Sequence, residues 1–235
     1  ENTVVGQEAL STDTLGSKST AIGRAALNQQ NFTTATDSYN TAVGYHAGLS
    51  VTTGIQNVLI GGLTGDALTD ADFNTAVGTG SLSADTKGSR STTLGEGTLV
   101  AQNFTTATDV YNTAVGMGAG RSVTTGIHNT LLGGEAGDAL TDADGNLALG
   151  YAALTSDTLG SKSVAVGKNA LYSQNFTTAT DSFNTGVGYS AGSQITTGIS
   201  NTLLGGLAGD ALTDADDNVA VGLSALTSDT LGSKT

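Results

Sequence analysis

Nine aspartates sit in three identical octapeptides. GDALTDAD begins at Gly65, Gly137 and Gly209, so the three copies are evenly spaced along the chain. The copies carry Asp66, Asp70 and Asp72, then Asp138, Asp142 and Asp144, then Asp210, Asp214 and Asp216. Carboxylates are hard oxygen donors, and Ca2+ takes roughly six to eight of them. The stretch Asp142-Ala-Asp144-Gly-Asn146 follows part of a calcium-loop pattern. The roughly twelve-residue EF-hand spacing and its closing Glu are missing. Two readings stand. One is a Ca2+ site, with neighbouring chains of a symmetric oligomer supplying missing ligands. The other is a solvated turn whose carboxylates bond local backbone and keep an open face soluble.

A second phrase, QNFTTATD, begins at Gln30, Gln102 and Gln174. Its Phe32, Phe104 and Phe176 stand out in a chain with only 5 % aromatic residues. Loops on one face of a repeat array often bind partners. The rings are therefore candidate anchors for a glycan, a protein receptor or a neighbouring molecule. Alternatively each ring folds back to cap its own coil. Asn31, Asn103 and Asn175 head N-F-T sequons within the same loops.

Catalytic chemistry finds little footing. His46 and His128 have Ser190 and Ser200 at the matching places of the third copy. A fixed Ser–His–Asp constellation is not suggested. Paired carboxylates can cleave glycosides, but three equivalent acidic loops without an aromatic sugar platform read better as repeated structure. The chain has no Cys, hence no thiol or disulfide chemistry. The expectation is a protein that is not an enzyme, with no cofactor beyond possible Ca2+.

Charge narrows the partners further. The net charge is −13, from 17 Asp and 4 Glu against 8 basic residues. Phosphate backbones need a basic surface, so nucleic acid is not an expected partner. No apolar run approaches the roughly 18 residues of a spanning helix, so this segment is not expected to insert into a membrane. The chain opens at Glu1 and stops inside a repeat. It is expected to be a segment of a longer chain.

The elements that position these loops are set by a shorter repeat. The phrase [NS]-x-x-[VIL]-G begins at Asn2, Ser19, Asn40, Asn57 and Asn74, and recurs to Asn218. The steps between those starts are 17, 21, 17 and 17, and the four together span the interval between one octapeptide and the next. Residues 1–235 therefore form one array, with long repeats starting at 2, 74 and 146 and a partial one at 218. Glycine closes the phrase every time: Gly6, Gly23, Gly44, Gly61, Gly78, Gly95, Gly116, Gly133, Gly150, Gly167, Gly188, Gly205 and Gly222. With 34 Gly, one Met, no Pro and no Trp, a helical fold is disfavoured, and no 3.6-residue apolar period is sustained. Each phrase reads as a short strand. A second strand is expected near Val51–Ile55. Stacked coils would climb about 4.8 Å per turn as an all-β parallel β-solenoid, with the glycines in one file.

Side chains alternate along a strand. The second and fourth positions share a face, and the fourth is always branched aliphatic. The third, often Ala, shares the other face with the glycine. The aliphatic column is expected to be buried. The bare Ala and Gly face then needs cover, which points to packing against copies of the chain. Thr fills the second position in nine of thirteen coils. Ice binding by such a ladder is disfavoured if its aliphatic neighbours are buried.

NTAVGYHAG (Asn40 to Gly48), STAIGRAAL, SVAVGKNAL and NVAVGLSAL resemble head repeats of YadA-type trimeric autotransporter adhesins. They are also similar to NTAVG-type units of bacteriophage tail fibres. The resemblance covers essentially the whole chain. It implies a left-handed parallel β-roll, three chains about one axis, and an extracellular, cell-surface or virion location. The coils are longer than the shortest adhesin units, and residues 1–235 carry no stalk or anchor pattern. The leading expectation is the shaft or head of a homotrimeric fibre presenting loops for attachment. The alternative is a self-assembling secreted filament or matrix protein with no dedicated receptor.

Overall fold

The computed structural model describes residues 1–234. All regular elements among them are strands. They divide into two compact units, Glu1–Asn112 and Thr113–Thr235. In the first unit, three-residue strands lie at Thr3–Val5, Thr20–Ile22, Thr41–Val43, Val58–Ile60, Thr75–Val77 and Thr92–Leu94. Each pairs in parallel with the next, so that Ala21 lies beside Ala42, Ala42 beside Leu59, and Leu59 beside Ala76. The second unit repeats the scheme with Thr113–Val115, Thr130–Leu132, Leu147–Leu149, Val164–Val166, Thr185–Val187, Thr202–Leu204 and Val219–Val221. Both units are parallel β-solenoids, and each of these strands occupies positions two to four of the repeated phrase.

The leading Asn closes each coil and ties it to the next. Asn57 Nδ2 donates to the carbonyl of Ala71, further on in the same coil, at 2.8 Å. Asn57 Oδ1 accepts the backbone N–H of Asn74 in the following coil at 3.0 Å. Asn40, Asn74, Asn146, Asn184 and Asn201 close their coils in the same way. All are buried. An Asn there satisfies a donor and an acceptor that a narrow coil would otherwise bury unpaired.

The strand faces are the reverse of the sequence expectation. The third position points inward and is buried from Ala21 to Ala220. The aliphatic fourth position is half-buried or exposed: Val5 is 59 % accessible, Leu94 50 % and Val221 68 %. The reason is the width of the coil. Its interior is filled from opposite walls, and the volumes compensate. Where the third position is Ala, as at Ala148 and Ala165, Leu154 and Leu171 fill the space later in the coil. Where it is Leu, as at Leu59, Leu131 and Leu203, a Gly stands opposite. A Cβ on Gly65, Gly137 or Gly209 would meet those leucines at 2.7 to 2.8 Å. Those coils also bury a second leucine, as Leu68 meets Leu59 over Gly65, so no room is left inside for the branched fourth position. The disfavouring of ice binding, which assumed a buried aliphatic column, loses its ground.

The second strand is met in part. Val51–Ile55 carries a bend at Thr52 and Thr53 and no strand. At the matching place of other coils two-residue strands do form and pair onward: Gly16–Ser17 with Thr36–Asp37, Gly88–Ser89 with Thr108–Asp109, and Gly160–Ser161 with Thr180–Asp181. At Ile55 a carboxylate takes the amide that a ladder would have given to a carbonyl, as described below.

The glycine column is a close approach of backbones. Gly23 has φ +129° and Gly133 φ +140°, outside the range of L side chains. A Cβ on Gly23 would land on the carbonyl oxygen of Gly44, and one on Gly133 on that of Gly150. Within each unit the glycines therefore follow one another coil by coil, and no larger residue can stand in the file.

Candidate functional site

The acidic phrase is wired into the coils. Asp72 Oδ1 accepts the backbone N–H of Ile55 in the preceding coil, and Asp144 and Asp216 do the same for Ile127 and Ile199, each at 2.8 Å. The N–H of each of these aspartates donates in turn to a serine hydroxyl of the following coil: Ser89, Ser161 and Ser233. A side-chain relay thus replaces the backbone ladder on this wall, which is why no strand forms there. Asp70 accepts from the hydroxyl of Thr69 at 3.0 Å and faces Lys87 at 3.4 Å. Asp214 accepts from Thr213, and Asp142 is exposed.

The first aspartate of each phrase lies at a different corner. Asp138 accepts from the hydroxyl of Thr155, and Asp210 from Thr227 at 2.6 Å. In the first copy the matching residue is Ser83, and Asp66 Oδ1 is buried with no hydrogen-bond partner. Desolvation accordingly pushes the Asp66 carboxyl up, and burial does the same at Asp72. At Asp70 the burial effect is outweighed by bonds from Thr69, its own backbone and Lys87, and its carboxyl sits below the ordinary value. No group of three or more His, Cys, Asp or Glu among the described residues is gathered closely enough to hold a metal ion. Each phrase distributes its carboxylates over two corners, where most act as acceptors for neighbouring coils.

The long-coil loop is built the same way. Phe32, Phe104 and Phe176 are buried, with Phe104 only 7 % accessible. Phe104 and Phe176 pack where a Cβ on Gly88 or Gly160 would stand, at 3.0 and 2.7 Å. The rings thus lie over their coils. Beside them Gln30, Gln102 and Gln174 are fully buried. Gln102 Nε2 donates to Asp85 and Ser91, and Gln102 Oε1 accepts from Asn112 at 2.9 Å. Gln174 makes the equivalent set with Asp157, Ser163 and Asn184. This Asp–Gln–Asn chain stands in for the coil-closing Asn wherever the phrase begins with Ser. Sequence reasoning passed over it. The signal was there, since Gln30, Gln102 and Gln174 precede Asn40, Asn112 and Asn184 by the same step in every copy.

At the foot of each loop stands an exposed cation, carboxylate and ring. Lys18 pairs with Asp37 at 2.6 Å and lies 4.9 Å from the ring centre of Tyr39. Arg90 pairs with Asp109 and sits 4.7 Å from Phe73 and 5.7 Å from Tyr111. Lys162 pairs with Asp181 and lies over Phe183. The Lys18 ammonium holds the Asp37 carboxyl below its ordinary value. Such exposed pairs brace the loop but add little stability.

The outer sheet face is an uncommitted surface. In the first unit it presents Thr20, Thr41, Thr75 and Thr92 in one column and Ile22, Val43, Val77 and Leu94 in the next. Exposed Tyr39, Phe73 and Tyr111 run along one flank and Tyr45 lies on the other. Comparison with protein-family models, curated proteins and solved structures finds no match for this chain.

Proposed function

We propose that the chain is a structural segment of an extracellular homo-oligomeric fibre, three chains in its simplest form. The outer sheet face of each chain packs on the others, and the outward loops present identical surfaces for attachment. The observation that carries this reading is the exposed aliphatic column. Val, Ile and Leu recur at every coil on a face with Thr as the only polar column, flanked by exposed aromatics. A regular apolar strip of this kind marks an interaction surface. A homo-oligomer fits it because every coil presents the same pattern, so identical chains can meet in register. The role is mechanical: hold distance and present loops on a non-enzymatic scaffold. Attachment to a cell-surface glycan or protein receptor would use the loops, and Ca2+ on the acidic turns would need further ligands from neighbouring chains.

Light scattering on the purified chain tests the assembly. The native chain should form a defined oligomer, and Val43→Lys with Val77→Lys should shift it to monomer without loss of β-structure. A native chain that stays monomeric at tens of micromolar would sink the reading.

The same exposed Thr and aliphatic columns favour a second reading, in which the face lies on a flat periodic surface such as ice. A monomer that shapes ice crystals, and loses that activity on Thr41→Lys, would replace the first reading with this one.

A further inference from the structure

We propose that Asn31, Asn103 and Asn175 are acceptors for an N-linked sugar on the folded chain. The chain contains three N-x-[ST] sequences, and all three are Asn-Phe-Thr at the same place in the long coil. The coil-closing asparagines, such as Asn40, Asn57 and Asn74, are buried with Nδ2 committed to a carbonyl, and none heads a sequon. Asn31, Asn103 and Asn175 are the reverse: exposed, outside any strand, and just before the extra residues of the long coil.

Local geometry presents the acceptor. Asn103 is exposed, Phe104 is buried and Thr105 is exposed, and the other two copies show the same alternation. The buried ring therefore turns the Asn amide and the Thr hydroxyl outward together, the pair a sequon-reading enzyme engages. Beside each amide stands a threonine hydroxyl of the preceding coil: Thr14 donates to Asn31 Oδ1 at 3.1 Å, while Thr86 and Thr158 make their shorter bonds, 2.7 Å, to the carbonyls of Phe104 and Phe176 and lie 3.2 and 3.1 Å from the Asn amides.

The reaction balances with an activated glycosyl donor, either a nucleotide sugar or a lipid-pyrophosphate sugar. Nδ2 attacks the anomeric carbon, the C–N bond forms, and the phosphate leaving group departs with the electron pair. One amide proton passes to a base of the transferase. The sites lie away from the outer sheet face, so the proposal stands whether or not that face binds copies of the chain.

The test incubates the folded chain with a soluble N-glycosyltransferase and UDP-glucose, with an Asn-Phe-Thr peptide confirming enzyme activity. Intact mass should rise by three hexoses, and peptide mapping should place them on Asn31, Asn103 and Asn175. The triple variant Thr33→Ala, Thr105→Ala, Thr177→Ala should gain none, and the corresponding Thr→Ser variant should regain transfer. The proposal is overturned if the folded chain takes no sugar, whether or not the urea-unfolded chain does. Sugar on any other asparagine overturns it as well.

Discussion

Gln102 donates from Nε2 to Oδ2 of Asp85 across 2.5 Å, and neither residue has exposed surface. Asp85 Oδ1 accepts the backbone N–H groups of Gly88 and Phe104, both at 3.0 Å. A buried carboxylate is thus satisfied wholly by neutral donors. Asp85→Ala strands all three and should cost about 3 kcal/mol or more, each buried unpaired donor costing roughly 1–3 kcal/mol. Asp142→Ala, at an exposed site, should stay within about 0.5 kcal/mol. Urea denaturation followed by circular dichroism compares the two. Equal midpoints would remove the network from the account of stability.

Phe104→Ala follows a different mechanism. The ring is buried beside Gly88, so its removal leaves a cavity and should destabilise the chain by about 3–5 kcal/mol. The same denaturation series measures it. A variant as stable as the parent would instead mark Phe104 as a ring held ready for a partner.

The glycine file makes a prediction about position. Gly133→Ala must place a Cβ on the Gly150 carbonyl and should prevent the coil from forming. Gly97→Ala meets open space and has φ +60°, so it should cost only about 1–2 kcal/mol of left-handed strain. Soluble yield and melting temperature separate them, and tolerance at Gly133 would contradict the close approach.

Asp66 offers a gain. Ser83→Thr reproduces the residue found at Thr155 and Thr227, whose hydroxyls bond the matching aspartates. Its stiffer χ1 should aim a donor at the orphaned Oδ1 and stabilise the chain by about 1 kcal/mol. Thermal melts at neutral pH check this, and no upward shift would count against it.

The same carboxylate sets a sign with pH. Burial raises the folded-state pKa of Asp66 and Asp72 above the ordinary carboxylate value. The folded state therefore holds those protons more tightly than the unfolded state does. Their contribution is fully present below the ordinary value and is lost as pH rises through the raised one. Asp37, whose carboxyl is lowered by Lys18, acts oppositely and loses its contribution as pH falls through its lowered value. Asp66→Asn should consequently flatten the decline on the alkaline side of the carboxylate range. Unfolding titrations of parent and variant would expose a wrong sign.

Much of the fold was legible because its rules are local. Asn or Ser at the corner, a branched residue three places later and Gly after it mark each three-residue strand from Thr3–Val5 to Val219–Val221. The inward face was not legible, because alternation identifies two faces without saying which is inside. That choice depends on a non-local fit, such as Leu131 against Gly137. The acidic turns read as open to metal or solvent because sequence spacing does not show that Asp72 reaches back one coil to Ile55. The buried Phe104 likewise depends on the coil beneath it.

The relays also set how such an array can grow. Ile55, Asp72 and Ser89 link three consecutive coils, and Asp85, Gln102 and Asn112 link the third of these to the two that follow. Each coil in a set of four thus has its own place, and losing the long one would leave the buried Asp85 carboxylate without Gln102 and the Phe104 N–H. The shortest duplication or excision that leaves every bond a correct partner is the whole four-coil block. Unequal recombination between near-identical gene segments would be filtered to that step, so related chains should differ in length by whole blocks, the distance from Gly65 to Gly137.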